Sequence, residues 1–314
     1  MILIEATPEQ SRDRDRATFE AWGGQLPLER YLAETERLRR HPWSRAAESV
    51  WCLCADDGDV LSSCETYRMA SFLDQGRQPG HTYGIASVYT EPGKRRRGHC
   101  LELLRRLGDR LVRGDPDAQA LVLFSDVALA TYGKAGFAAR PALSLVLEAM
   151  AGDPRDGVEA LLAEHQAGQA LARIPRPAGP FTVWPGAEQI DWHLERERIF
   201  ADLLGRPRPV ACGATVRGAT ALWSADYREG QLTVLLWHAP DAEEAEALFA
   251  CARRVAGGAG LARVAVWQTP QAGLPGRALL EDRLRQLDSV PMIRPLDSRV
   301  LAAHWAWIPR AIWV

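Results

Sequence analysis

The sequence predicts an α/β protein of 314 residues arranged as two domains. Three observations carry that reading. The stretch His81 to Arg113 reads as strand, basic turn and helix. Leu121-Val122-Leu123-Phe124 is an apolar run of the kind found in a sheet covered on both faces. Gly152-Asp153-Pro154 and the run Ile174 to Pro180 punctuate the middle of the chain, dividing a domain of residues 1–150 from one of residues 151–314.

In chain order, Ile2 to Glu5 is a short strand. Thr7-Pro8-Glu9-Gln10 starts a helix, with Thr7 as cap and Gln10 closing a capping box; it stops at Gly23-Gly24. A second helix begins near Pro27, with Leu28, Tyr31, Leu32, Thr35 and Leu38 at helical spacing, and ends by His41-Pro42. Strands at 50–55 and 60–68 flank the turn Asp56-Asp57-Gly58-Asp59. The strand of residues 82–90 leads through Pro92-Gly93 and Lys94-Arg95-Arg96-Arg97-Gly98 into a helix over 98–113. The strand at 121–124, a short helix carrying Tyr132, and a strand at 143–147 close the first domain. The second domain reads as a helix over 187–204, a hairpin of 219–223 with 232–237, a helix over 241–255, a strand over 262–267 and a helix near 277–287.

Composition excludes several function classes. Hydrophobic and charged fractions of 47% and 25% are ordinary for a soluble protein, and the net charge is −2. No apolar run approaches the roughly 20 residues of a membrane span. The start Met1 to Glu5 lacks the features of a signal peptide, which points to a cytoplasmic protein. Cys52 and Cys54 have no second Cys or Cys/His pair at ligand spacing nearby, so they read as small core residues and no metal is expected. Residues 94–113 hold eight Lys/Arg against Glu102 and Asp109, a locally positive field. Without aromatic residues interleaved, that field does not argue for nucleic acid.

Arg95-Arg96-Arg97-Gly98-His99-Cys100 fits the Arg/Gln-x-x-Gly-x-Gly/Ala turn of the GNAT acyl-CoA N-acyltransferases, with Cys100 where Gly or Ala is usual. The β-α-α-β-β-β-α-β-α-β order and Tyr132-x-x-x-Gly136-Phe137 are also similar to that family. Glu20 to Gly24, Ser63 to Arg68, Ile85 to Val88, Leu123 to Asp126, Trp192-His193 and Leu287 to Pro291 resemble the yeast lysine N-acetyltransferase group. The resemblance implies a GNAT fold with a central mixed, mostly antiparallel sheet. It also implies acetyl-CoA as co-substrate and an amine acceptor, most specifically lysine or a lysine-like small amine.

By that resemblance Arg95, Arg96, Arg97, Gly98, His99 and Cys100 cradle the CoA pyrophosphate, as backbone N–H groups at a helix N-terminus can. Val88, Tyr89 and Thr90 hold the pantetheine and the thioester carbonyl, and Ser125 adds a polar contact. Tyr132 takes the general-acid place, because a phenol arrives protonated at neutral pH. Glu65 is the candidate base, with Glu20 second, and Glu20, Glu65 and Tyr67 are the candidate acceptor contacts. The alternatives are a GNAT enzyme for another amine, aromatic or biosynthetic, and a non-catalytic acyl-CoA-binding module. The second domain loosely echoes a GNAT half without the Arg-x-x-Gly turn. It carries eight of the eleven tryptophans, read as core or interface, or as a wall of the acceptor pocket.

Overall fold

The computed structural model describes residues 1–24, 26–126, 129–161, 164–268, 284–287, 289–305 and 307–314. The first sheet contains strands β1 (Ile2–Glu5), β2 (Glu48–Cys54), β3 (Val60–Leu73), β4 (Gln78–Tyr89), β5 (Ala118–Ser125) and β6 (Ala138–Ala139). All its neighbouring pairs are antiparallel except β4 and β5. Helices α1 (Pro8–Trp22), α2 (Leu28–Arg39) and α3 (Pro42–Ala47) pack at one end of it, and α4 (His99–Gly114) crosses from β4 to β5.

Local chemistry explains the helix starts. Thr7 and Gln10 form the expected capping box on α1. The helix α3 went unread in the sequence. Pro42 opens it, and the ring Nδ1 of His41 accepts the N–H of Trp43 at 3.2 Å. The strand expected over 82–90 begins earlier, so that Pro79-Gly80 lies inside β4, which pairs along nearly its whole length with β3.

Helix α5 (Leu129–Gly133) precedes β6, and β7 (Leu143–Glu148) follows. Sequence reading made β7 the closing strand of the first domain. It pairs instead with strands of a second sheet, while that place beside β5 is taken by β15 (Val290–Pro295). The second sheet contains β8 (Glu159–Leu161), β10 (Gly213–Val216), β11 (Ala219–Asp226), β12 (Gln231–His238), β13 (Arg263–Gln268) and β14 (Leu284–Gln286) as well as β7. Helices α6 (Glu164–Leu171), α7 (Ala187–Leu204) and α8 (Ala242–Gly258) accompany it.

The two sheets have the same order. The first runs β1-β2-β3-β4-β5-β15 and the second β8-β10-β11-β12-β13-β7. Each lends the other its sixth strand, so the two halves exchange chain across residue 150. An alternating apolar run such as Leu143 to Leu147 encodes a strand but not the sheet that receives it. The exchange is fastened by Arg294 of β15, which donates to the carbonyl of Leu104 in α4 at 3.1 Å. Gly108 makes this approach possible, since a Cβ there would lie 2.9 Å from the Arg294 guanidinium. Strand β9 (Phe181–Trp184) adds a further join by pairing with the far end of β3.

The helix expected near 277–287 lies outside the described residues over 277–283, and Leu284–Gln286 is strand. Of the motif Leu287 to Pro291, Asp288 lies outside the described residues. No helix among the described residues is long and apolar enough to cross a membrane. Some of the tryptophans lie at the junction between the halves. Phe124 of β5 packs against Trp267 of β13 at 5.3 Å and Trp313 at 5.5 Å.

Candidate active site

Strands β4 and β5 pair only from His81 to Gly84. Beyond Gly84 they part, and a bulge bends β4 away. Between the pairs Ala86–Glu65 and Tyr89–Ser63, β4 spends three steps against two on β3. Ser87 takes the extra turn at φ +50°. The result is a cleft at the C-terminal ends of two parallel strands, where backbone groups of residues 85–89 on the β5 side have no strand partner.

The turn from β4 into α4 closes one end of that cleft. Arg96 (φ +63°) and Gly98 (φ +82°) are left-handed. Such alternation curls successive N–H groups towards a common point. Gly98 is also the N-cap of α4, with no side chain capping the helix. A sixteen-residue helix thus presents its N-terminal dipole and its first N–H groups open. The arginine side chains divide their work. Arg95 donates to the carbonyl of Thr90 at 2.9 Å, which fastens the turn. Lys94 is spent on Asp59 at 2.7 Å and Glu91 at 3.1 Å, and Arg105 and Arg106 pair with Glu102. Arg96 and Arg97 are exposed and make no ion pair among the described residues, so they are the cations left for an anionic ligand.

Val88, Cys100 and Tyr132 come together as half-buried residues packed on the core beneath α4. The Tyr132 ring meets Phe137 edge-on at 6.1 Å, and the Ala135 and Phe137 N–H groups donate to the Tyr132 carbonyl. Burial, with Cys100, Asp126 and Cys64 nearby, holds the phenol above its usual range. It is a proton donor and a poor phenolate. Burial also pushes the Cys100 thiol up, so the departure from Gly or Ala leaves an inert neutral side chain there. Thr90 shares a hydrogen bond with Ser62 at 2.8 Å, Tyr89 packs on Trp22 at 5.7 Å, and Ser125 is buried at the end of β5. His99 opens α4 half-buried.

The acceptor side differs from its sequence reading. Glu65 lies under α1 and α2 in an ion-pair network. Arg14 reaches its Oε1 at 2.6 Å, the Ser63 hydroxyl at 3.1 Å and the Ser87 carbonyl, on the bulge, at 2.6 Å. Arg39 bridges Asp15, Glu48 at 3.0 Å and Glu65 at 3.4 Å. Burial alone would raise the Glu65 carboxyl, but Arg14 and Arg39 outweigh it and hold it below its ordinary range. A carboxylate so held is a weak base, which argues against the role expected of it. Its neighbour Glu48 is pushed up to about 7 by burial and by Glu65.

Glu20 points to solvent, and Asp15 is the α1 carboxylate that reaches the network. Tyr67 is buried as a floor, stacked on Trp43 at 5.5 Å, with its hydroxyl 3.4 Å from Glu65. Sequence reading missed Arg14, Asp15, Arg39 and Glu48. A signal existed: Ser11, Arg14, Asp15 and Thr18 share one helical face, and that polar face is the buried one.

Comparisons with known proteins agree with this geometry. Residues 164–313, just under half the chain, match the family described as the LYC1 GNAT-like C-terminal domain. That half of the chain is thus similar to a GNAT-like domain. Among solved structures, a GCN5-related N-acetyltransferase from Kribbella flavida aligns over 95% of this chain and 72% of its own, at 18% identity and TM-score 0.58. A probable N-acyltransferase from Enterococcus faecalis V583 aligns over 94% and 72%, at 11% identity and TM-score 0.61. A GCN5-related N-acetyltransferase from Sphaerobacter thermophilus aligns over 95% and 96%, at 15% identity and TM-score 0.52. No curated protein matches the chain. At these identities the structures share the fold, a two-sheet GNAT arrangement running through both halves.

Proposed function

We propose that the chain is an N-acetyltransferase that moves acetyl from acetyl-CoA to a primary amine of a small molecule, by direct attack in a ternary complex. The observation that carries this reading is the parted β4–β5 pair opening onto the uncapped, left-handed turn Arg96–Gly98. The turn fits a pyrophosphate, and the free edge of β4 fits an extended amide chain. Acetyl-CoA supplies the activated acetyl group. The chain's own contribution is to hold it and to manage protons.

In this reading Arg96, Arg97 and the N–H groups of residues 98–100 hold the phosphates. Backbone groups at Val88 and Tyr89 align the donor and polarise its carbonyl. Tyr132 donates a proton to the departing thiolate. The bulge at Ser87, clamped by Arg14, fixes the β4 backbone that does the aligning. Glu65 then acts as the counter-charge that fixes Arg14, and Glu48 is the carboxylate poised near neutrality for proton uptake. Residues 1–150 supply this donor machinery, and the second half walls the acceptor side through α7. Lysine or a lysine-like amine is the acceptor this reading favours, in a cytoplasmic setting.

Release of free thiol from acetyl-CoA tests the reading. L-lysine, its Nα- and Nε-blocked forms, polyamines and aromatic amines form the panel. Turnover with lysine and Nα-blocked lysine, but not the Nε-blocked form, is expected. Tight CoA binding without turnover on any amine would overturn catalysis and leave an acyl-CoA-binding module.

A further inference from the structure

A cleft between α7 and the β11–β12 hairpin plays no part in the donor machinery. His193, Arg196 and Glu197 of α7 line it, with Asp226, Arg228 and Arg310. Arg310 is only 7% exposed. Its Nη1 donates to the carbonyl of Trp313 at 2.9 Å. Its guanidinium lies 4.1 Å from the ring centre of Trp313 and 5.4 Å from that of Trp267. Among the described residues it has no carboxylate at ion-pair distance, and neither has Arg196. Burial and the nearby Arg196 pull the Arg310 pKa down to about 9.

The acids of the cleft are engaged elsewhere. Glu197 accepts the backbone N–H of Ala225 at 2.5 Å. Asp226 accepts those of Arg228 and Glu229, both at 3.2 Å. Arg228 lies 3.7 Å from Glu34 of α2. His193 is kept neutral by burial and by Arg310, with its Nε2 2.9 Å from the Ala311 carbonyl. Two guanidiniums therefore line the cleft without an ion pair among the described residues. Arg310 is desolvated, with Asp226 acting on it only at longer range, as Glu34 does on Arg196. A buried cation in that state is costly until an anion meets it. A planar fork of donors suits a carboxylate.

The location adds to this. Phe124 of β5 and Trp267 and Trp313, the rings over which Arg310 lies, pack together at the end of the strand that borders the donor cleft. Glu34 of α2, which pairs with the lining residue Arg228, is raised by burial, held back by Arg196 and Arg228, and also feels Glu65 and Asp15. The cleft thus adjoins the acceptor side of the first sheet.

We propose that this cleft is a carboxylate-binding site, in which Arg310 and Arg196 hold the carboxylate of a small amino-acid-like molecule. That carboxylate has two possible sources, the acceptor itself or a separate effector, and only the first rests on the function proposed above.

Tryptophan fluorescence reads the site directly, because Arg310 lies over two indoles. The full chain is titrated with L-lysine, with 6-aminohexanoate (which keeps the carboxylate but not the α-amine) and with cadaverine (which lacks the carboxylate). Saturable binding of the first two and not of cadaverine is expected. Arg196→Gln, at a half-buried position, should weaken it by about tenfold to a hundredfold, the usual weight of hydrogen bonds to a charged group. Arg310→Gln should do the same, with circular dichroism checking that it folds. If Arg196→Gln also raises KM for lysine and leaves that for cadaverine unchanged, the carboxylate is the acceptor's. If binding weakens while both KM values stand, a separate small carboxylate occupies the cleft. Carboxylate binding equal in wild type and Arg196→Gln, or equal for cadaverine, would overturn the proposal, whether or not any amine is acetylated.

Discussion

Helices α4 and α8 hold the same place in the two sheets and have opposite chemistry at their starts. Each crosses between two neighbouring parallel strands, α4 from β4 to β5 and α8 from β12 to β13. Each leaves a strand carrying one extra residue against its antiparallel neighbour, at Ser87–Val88 in β4 and at Leu235 in β12. Yet α4 opens on left-handed Gly98 with no side-chain cap, behind three arginines. By contrast α8 opens on Asp241, whose carboxylate accepts the Glu244 N–H at 2.9 Å, and Glu243 and Glu244 follow. An acidic, capped N-terminus has its donors satisfied and repels an anion. The strand order and bulge recur in both halves, and only the first combines them with an open, basic helix start.

The strongest way to break this contrast is to give α4 the character of α8. Gly98→Glu puts a carboxylate and a Cβ at φ +82°. Apart from its chain neighbours, nothing among the described residues lies within 4 Å of that Cβ, so the fold has room for it. Backbone strain and repulsion from a pyrophosphate at the turn then act on the ligand. CoA affinity is expected to fall about a thousandfold, or ~4 kcal/mol. Calorimetric titration with free CoA measures it, and affinity near the wild-type value would move the donor site away from α4.

Tyr132→Phe sharpens the contrast from the chemical side. Phenylalanine keeps the ring contact with Phe137 and removes only the hydroxyl. The expected result is a fall in kcat of about a hundredfold with CoA affinity unchanged. Equal kcat would mean that the thiolate leaves without help from this residue.

The strand, turn and helix that carry the proposed donor site were legible in the sequence because they are local. They follow one another within residues 82–114, and the family resemblance, carried on that spacing, pointed to Val88, Gly98 and, one strand later, Tyr132. The ion-pair network beside that site is built across 73 positions of chain, from Arg14 to Ser87, and hydrophobic periodicity is blind to it. Arg14 and Asp15 lie on the inward face of α1, where an apolar stripe is the usual expectation. The strand exchange was illegible for a similar reason. β7 and β15 are both short apolar strands, and nothing in either names its partner. The parallel order of the two sheets showed only as a faint echo, since β8 and β10 are three and four residues long.

The polar network beneath β3 gives a third test, because the second sheet is apolar at the corresponding place. There β11 turns Leu222 into an apolar cluster with Ile190 and Leu194 of α7. In the first sheet Glu48 is raised to about 7, above its unfolded value near 4.3. The folded protein therefore holds that proton longer than the unfolded chain. The associated stability is present below about pH 4.3 and is lost as pH rises through about 7. Glu48→Gln mimics the protonated form. Wild type should lose about 1–3 kcal/mol relative to this variant between pH 5 and pH 8, read by urea unfolding at both values. A constant difference across that range would mean that Arg39 keeps Glu48 ionised throughout.

The smallest effect is the control for the whole contrast. Asp241→Ala removes the cap of α8 and should cost about 1 kcal/mol of stability, as lost N-caps do. It uncovers the helix N-terminus but supplies neither the left-handed turn nor the arginines. If an open helix end were enough to bind a phosphate, the variant would gain a second CoA site. The expected outcome is unchanged stoichiometry, one CoA per chain by calorimetric titration. In α4 the open N-terminus is one of three parts, together with the curled backbone of residues 96–98 and Arg96 and Arg97, which have no ion pair among the described residues. A second binding event in Asp241→Ala would show that the cap alone had silenced the second half.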